Sequence, residues 1–437
     1  MGARQIPRQN QKMKIRPLFQ NRRTHLGAVL TTTAALLLLG SVNPAFAKPG
    51  GNGGGKPGGE DPPPDPEPDP APVSYVLTWL PDNANGSTVW DIDADGVAIG
   101  NLVPDGIFED RFGVVSFPNR PELIDLEALA SGHPDYPTGW RLTTAFTISD
   151  GLLISGDLYD PAGREGRGER HCFAMQLVDK GPALDPGISW FRVFSASDVG
   201  GSPVAGAVLY DASEHGDLSI LTHVENPDGS ESGSPYVWRP ADGAPSATSV
   251  VGPSGAHGAI NNSRDLLWGG RDPQVINADT GAKTLLGNYN GGLTLAKDIS
   301  DNGVVVGEGP GGKKRGQTLS QAVRYIDGGW EAIAGAGTSS EAVKINSADQ
   351  ILGFSGSRLF LYSDGPAVGF RLIDDLLDPV LNSVSDLTTW DSAAALETSN
   401  PWLYSISDPD ASGYGHICGR RTINGLDRGF ILTPVAK

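Results

Sequence analysis

Cysteine, histidine and cationic side chains are all scarce in this chain. Two cysteines in 437 residues cannot staple a small secreted scaffold, so the fold must rest on a hydrophobic core. Both, Cys172 and Cys418, are flanked by apolar residues, as buried thiols are, and spacing alone leaves open whether they pair. The seven histidines show no H-E-x-x-H and no paired spacing, which leaves zinc unsupported. His171 beside Cys172 is a poor ligand pair, because adjacent strand residues point to opposite faces. No G-x-S-x-G occurs and no cysteine sits in a nucleophile context, so no catalytic residue and no cofactor is assigned. Lysine and arginine number 33 against 51 aspartates and glutamates, a net charge of −18. Seven of the basic residues precede residue 48, where there are no acids; that leaves 26 against 51, or −25, for the remainder. Such a field repels phosphate backbones and anionic lipid heads, and nucleic-acid binding is excluded on that ground.

Long hydrophobic runs are also lacking, with one exception. After a basic segment ending at Arg23, residues 26–42 (LGAVLTTTAALLLLGSV) are apolar but interrupted by three threonines. They are followed by NPAFA, whose Ala45 and Ala47 form an A-x-A cleavage site. This is the layout of a secretory signal over residues 1–47 and a marginal one for a permanent span. Residues 48–73 (KPGGNGGGKPGGEDPPPDPEPDPAPV) are glycine-rich and then acidic and proline-rich, and read as a disordered linker. A secreted protein, extracellular or periplasmic, without a stable membrane span is expected.

Glycine and proline, by contrast, are plentiful: 59 and 34 residues, spread along the chain. From residue 74 onward one pattern returns. Ile92-Asp93 is followed by Gly96 and then Val97-Ala98-Ile99-Gly100, and Ile299-Ser300 by Gly303 and Val304-Val305-Val306-Gly307. Ile345-Asn346 leads to Ile351-Leu352-Gly353 with Asp349 in the turn glycine's place, and Ile148-Ser149 to Gly151 and Gly156. Ile260-Asn261 leads to Leu266-Leu267-Trp268-Gly269. Two copies are worn: Ala212-Ser213 lacks the final glycine, and Ile406-Ser407 reaches Cys418-Gly419 through an insertion. Each unit is a β-hairpin, in which a small polar residue bonds back to the turn, glycine supplies positive φ and a β-branched run starts the return strand. A strand with bulky alternate positions follows, as in GVVSF (113–117), HCFAM (171–175) or RLFLY (358–362). Apolar runs such as ELIDLEAL and RLIDDLL then suit a closing strand.

Seven copies about 52 residues apart, with four strands each, predict an all-β fold: a β-propeller of seven blades over residues 74–437, or six if the worn third copy is an insertion. The orphan strand at 74–81 (SYVLTWLP) is expected to complete the last blade and lock the ring as a monomer. The motifs DISDNGVVVG (298–307), KINSADQILG (344–353), HCF (171–173) and RGFILTP (428–434) resemble those of the bacterial HAF-repeat family of probable extracellular repeat proteins. The resemblance implies export and a propeller. It supplies no reaction and no catalytic residues.

The stretch DIDADG (91–96) matches the opening of a calcium loop, with Asp91, Asp93 and Asp95 as the candidate ligands. Sister turns place Lys344 at the first of these positions, and position twelve of the loop is Leu102 rather than glutamate, so the repeat itself does not depend on calcium. Other carboxylates (Asp157, Asp160, Asp374, Asp375, Asp378, Asp386, Asp391) are plentiful, and propeller glycosidases place theirs around the central channel. Two carboxylates about 5–9 Å apart in a pocket, one with a raised pKa, would favour an enzyme. The basic cluster GPGGKKRG (309–316) reads as a mobile loop, and Trp140, Trp190, Trp330, Trp390 and Trp402 as core or sugar-stacking residues. The expected function is a non-catalytic binding or adhesion module for a glycan or protein, gripped by inter-strand loops at one end of the ring. The alternatives are a carbohydrate-active enzyme using channel carboxylates and a structural surface protein.

Overall fold

A computed structural model describes residues 73–81, 86–103, 111–149, 151–162, 169–182, 184–194, 206–225, 231–242, 248–249, 257–270, 272–314, 317–364, 369–392 and 403–436. The expected signal segment, the expected linker up to residue 72, and Trp402 lie outside these residues, whereas Val73, expected to end the linker, begins a strand. Among them, seven antiparallel four-stranded sheets follow one another along the chain. Their innermost strands are Ser87–Ile92, Arg141–Ser149, Gly206–Ala212, His257–Ile260, Leu295–Ile299, Ser340–Ile345 and Ser405–Pro409. The third, worn copy builds a complete sheet of its own, which settles the blade number at seven.

The last blade is completed by Val73–Trp79, which runs antiparallel to Leu426–Ala436 with Val73 opposite Ala436 and Trp79 opposite Phe430. Tyr75 and Leu77 are buried there, worth about 1.5–3 kcal/mol per large apolar side chain. The free edge of this strand is met by a parallel backbone bridge between Tyr75 and Leu377 and by one amide side chain. Asn382 accepts from the Leu77 N–H at 2.6 Å and donates to the Tyr75 carbonyl at 2.9 Å, as a neighbouring strand would.

The packing explains the repeat's apolar positions. Seven clusters of buried side chains occupy the seven gaps between consecutive blades. Cys172 lies in the gap between blades two and three and Cys418 in that between seven and one, so the two are buried free thiols. Two expected closing strands are shorter than their apolar runs. Ile124–Asp125 gives way to a helix at Leu126–Ala130, because Asp125 caps it by accepting from the Glu127 and Ala128 N–H groups. Gly369–Leu372 likewise runs into a helical turn at Ile373–Leu376. The basic cluster is not a loop: residues through Lys314 extend a strand that pairs with Gln317–Ile326.

Candidate functional site

The candidate site lies on the propeller axis, and a backbone irregularity shared by the inner strands builds it. In blades one, two, three, five and six the register to the second strand slips by one residue, between Val89 and Asp91, Ala145 and Thr147, Leu209 and Asp211, Ala296 and Asp298, and Ala342 and Lys344. Such a bulge inserts one residue and re-aims its neighbours. It also explains the final glycine of the repeat. A Cβ at Gly100 would lie 2.0 Å from the Thr88 carbonyl oxygen, at Gly307 2.1 Å from that of Leu295, and at Gly353 2.3 Å from that of Glu341.

The residues after the bulge converge. Lys344 Nζ lies 3.2 Å from Asp211 Oδ1 and 3.8 Å from Asp298 Oδ1, so two carboxylates from different blades share one ammonium. Each aspartate also bridges to the next blade through a backbone amide. Asp91 Oδ2 accepts from the Ile148 N–H at 3.0 Å, Asp211 Oδ2 from Ile260 at 3.1 Å and Asp298 Oδ2 from Ile345 at 2.9 Å. Ser405 of blade seven donates to Asp91 Oδ1 at 2.6 Å. Blades one, three and five thus supply carboxylates, and blades two, four and six receive them. Loss of solvent raises the Asp91 carboxyl to about 6 against the pull of Lys344 and its hydrogen bonds, and raises Asp298 for the same leading reason. Lys344 is held above the ordinary lysine range because three carboxylates outweigh its own burial.

This cluster separates two cavities. On the side of the hairpin turns a narrow one of about 70 Å³ is lined by Asp298, Asn261, Asn346 and their neighbours. On the side from which the inner strands enter, a wider one of about 290 Å³ has the rings of Trp90, Phe146 and Tyr210 as walls, with Asp91, Asp211, Thr147, Lys344 and Ser405. Trp90 and Phe146 meet edge to face at 5.3 Å, and the Trp90 indole N–H is bonded to Asn101.

The three carboxylates of DIDADG go three ways. Asp91 joins the axial cluster. Asp93 is buried and accepts from the Asp95 and Val97 N–H groups at 3.0 and 2.8 Å, an Asx turn. Asp95 is exposed. Among the described residues no group of three or more His, Cys, Asp or Glu side chains is placed to hold a metal ion.

The remaining candidates stay apart from the axial cavities. Asp157 is buried with Arg170 at 3.8 Å and is raised to about 6, mainly by desolvation. Asp374 accepts from Arg358 and from the Trp390 indole at 2.6 and 2.8 Å. Asp160, Asp378 and Asp386 accept from nearby backbone or serine donors. Trp140 stacks on His171 at 4.4 Å, Trp190 carries Arg192 on its ring, Trp330 donates to the Leu286 carbonyl and Trp390 is buried. What the sequence reading missed is the axial set of Asp211, Asp298, Lys344 and Thr147. Its trace was a position whose chemistry varies from copy to copy between constant flanks.

The sequence matches no family model and no curated protein. Among solved structures it is similar to the Trypanosoma rangeli sialidase in complex with sialic acid, at 10% identity and TM-score 0.40 over 82% of this chain and 58% of that one. It is similar to TolB from Acinetobacter baumannii at 13% identity and TM-score 0.33, over 82% and 80%. The chain spans little more than half the length of the sialidase. Similarities of this size carry nothing about ligand or chemistry, and the seven-bladed architecture rests on the strand pairing itself.

Proposed function

We propose that this protein is a secreted, non-catalytic binding propeller of the HAF-repeat kind, whose ligand is a glycan or a protein engaged on the face where the blades are connected. The main support is the state of the axial carboxylates. Asp91, Asp211 and Asp298 each accept from a backbone amide of the next blade, and their other oxygens face Ser405 or Lys344. A general acid or nucleophile must present an oxygen to the reacting atom; these oxygens hold blades together. Among the described residues no helix is long and apolar enough to cross a membrane. A glycan array and a cross-linking capture on intact cells, both with the full chain, test the reading. Retention of a defined glycan or one recurrent protein supports it, and absence of both transfers the protein to a structural surface role.

One observation favours the second reading, a carbohydrate-active enzyme. Asp91 lines a cavity beside Asp211 and is raised to about 6, the condition of a general acid. Hydrolysis of a panel of aryl glycosides that disappears in Asp91→Asn, with an unchanged melting curve, would establish it in place of the first.

A further inference from the structure

We propose that the axial cavity of about 290 Å³ is a binding site for a small organic ammonium compound, held by the rings of Trp90, Phe146 and Tyr210 over the carboxylates of Asp91 and Asp211. The inference deepens the binding reading above and rests on it.

Two features of the cavity select this chemistry. Its walls are rings contributed by three successive blades at one position of the repeat, the residue inserted by the bulge. A cation over such faces gains from the ring quadrupole, about 0.5–2 kcal/mol depending on desolvation. Its floor has a surplus of negative charge. Three carboxylates surround a single ammonium, and that ammonium is in contact with Asp211 and Asp298. Asp91 is held by neutral donors alone, the Ile148 amide and the Ser405 hydroxyl. A ligand bearing a carboxylate or phosphate would meet this surplus and the chain's net charge of −18 as repulsion.

Thr147 also lines the cavity, but its hydroxyl oxygen is sealed from it and offers a ligand no contact. A neutral hexose fits less well. Its several hydroxyls need several polar partners, whereas the rings dominate the walls and the other polar groups of the floor are already bonded to one another.

The probes are choline and its neutral isostere 3,3-dimethylbutan-1-ol, titrated into the full chain by calorimetry and by tryptophan fluorescence, with glucose and acetate as further arms. Choline is expected to bind at least about tenfold more tightly than the isostere, consistent with the cation–ring term, and acetate not to bind. Trp90→Leu should weaken choline by about tenfold or more. Melting curves identify variants that fail to fold, and Phe146→Leu then replaces Trp90→Leu. Equal binding of choline and the isostere, or choline binding that survives the ring variant, overturns the proposal. So does the absence of choline binding. If glucose binds in its place, or the glycan array is positive while choline is not retained, the ammonium assignment falls and the binding reading stands.

Discussion

Two positions of the same repeat, two residues apart, behave in opposite ways. At 93, 149, 213, 261, 300, 346 and 407 the chain carries only Asp, Ser or Asn; at 91, 147, 211, 259, 298, 344 and 405 it carries Asp, Thr, Asp, Ala, Asp, Lys and Ser. The first set accepts inside its own hairpin, and only its spare donors, on Asn261, Ser300 and Asn346, reach the next blade. Asp93 accepts from Val97, Ser213 from Asp217, Asn261 from Asp265, Ser300 from Val304 and Asn346 from Gln350, always four residues on. The second set works between blades, through the axial cluster. Local backbone geometry confines the first set to small polar residues that can accept from the turn. The second set has no local demand to meet, so each position is free to differ, and their convergence on one axis makes the differences add up to a site.

Removing the shared cation breaks the second set without touching the first. Lys344→Met leaves Asp211 and Asp298 with no counter-charge; the ammonium and Asp211 are 19% and 14% exposed, so the loss falls short of a fully buried ionic group's, at about 2–3 kcal/mol. Denaturant unfolding should show a loss of this size. A loss under about 1 kcal/mol would mean that the cluster is solvated and the blades hold themselves together.

Titration separates the two sets more gently. Asp91 holds its proton to about 6 in the folded protein, above the ordinary value of 3.8. Between about pH 4 and 6 the folded state therefore binds a proton that the unfolded state has released, so this group's stabilising contribution, complete below about pH 4, is lost as pH rises through 6. Asp157, also raised to about 6, acts in the same sense, while His416, pushed below the usual imidazole range by burial, acts in the opposite one. The readable quantity is the difference between wild type and Asp91→Asn, in which the serine hydroxyl can reverse its bond. The variant should lose less stability than wild type from pH 4.5 to 7, and parallel profiles would refute the raised titration of Asp91.

How much of this is legible in the sequence follows the same division. Blade number, the polar turn residue and the closing role of the strand around Tyr75 were legible, because each follows from periodicity or local turn chemistry. The turn glycine was legible too, although Arg264 and Asp349 adopt positive φ, 59° and 56°, in its place. The axial set was not. Lys344 and Asp211 are 133 residues apart, and nothing near either one announces the other. The final glycine was visible as a spelling, but its cause, a carbonyl thrust into the space of a Cβ by the bulge, is a property of the paired strands. Gly307→Ala should therefore cost about 1–3 kcal/mol, as overpacking does, although Leu295 and Ala296 meet it with backbone atoms alone. An unchanged midpoint would show that the bulge relaxes.

The finest test stays within DIDADG, where one hexapeptide holds a member of each set and a bystander. Asp93 is 3% exposed and satisfies two backbone amides, so Asp93→Ala leaves buried donors unpaired, at about 1–3 kcal/mol. Asp95 is exposed, and Asp95→Ala should stay within about 0.5 kcal/mol. Were the three a calcium loop, the two substitutions would cost alike in the presence of the ion, and a chelator would erase the difference between them. With Asp93 turned into its own turn and Asp91 toward Ile148 and Ser405, the gap between the variants should be the same with calcium and with chelator. Thermal melts of both proteins under both conditions measure it, and a gap that closes on chelation would return these aspartates to a metal.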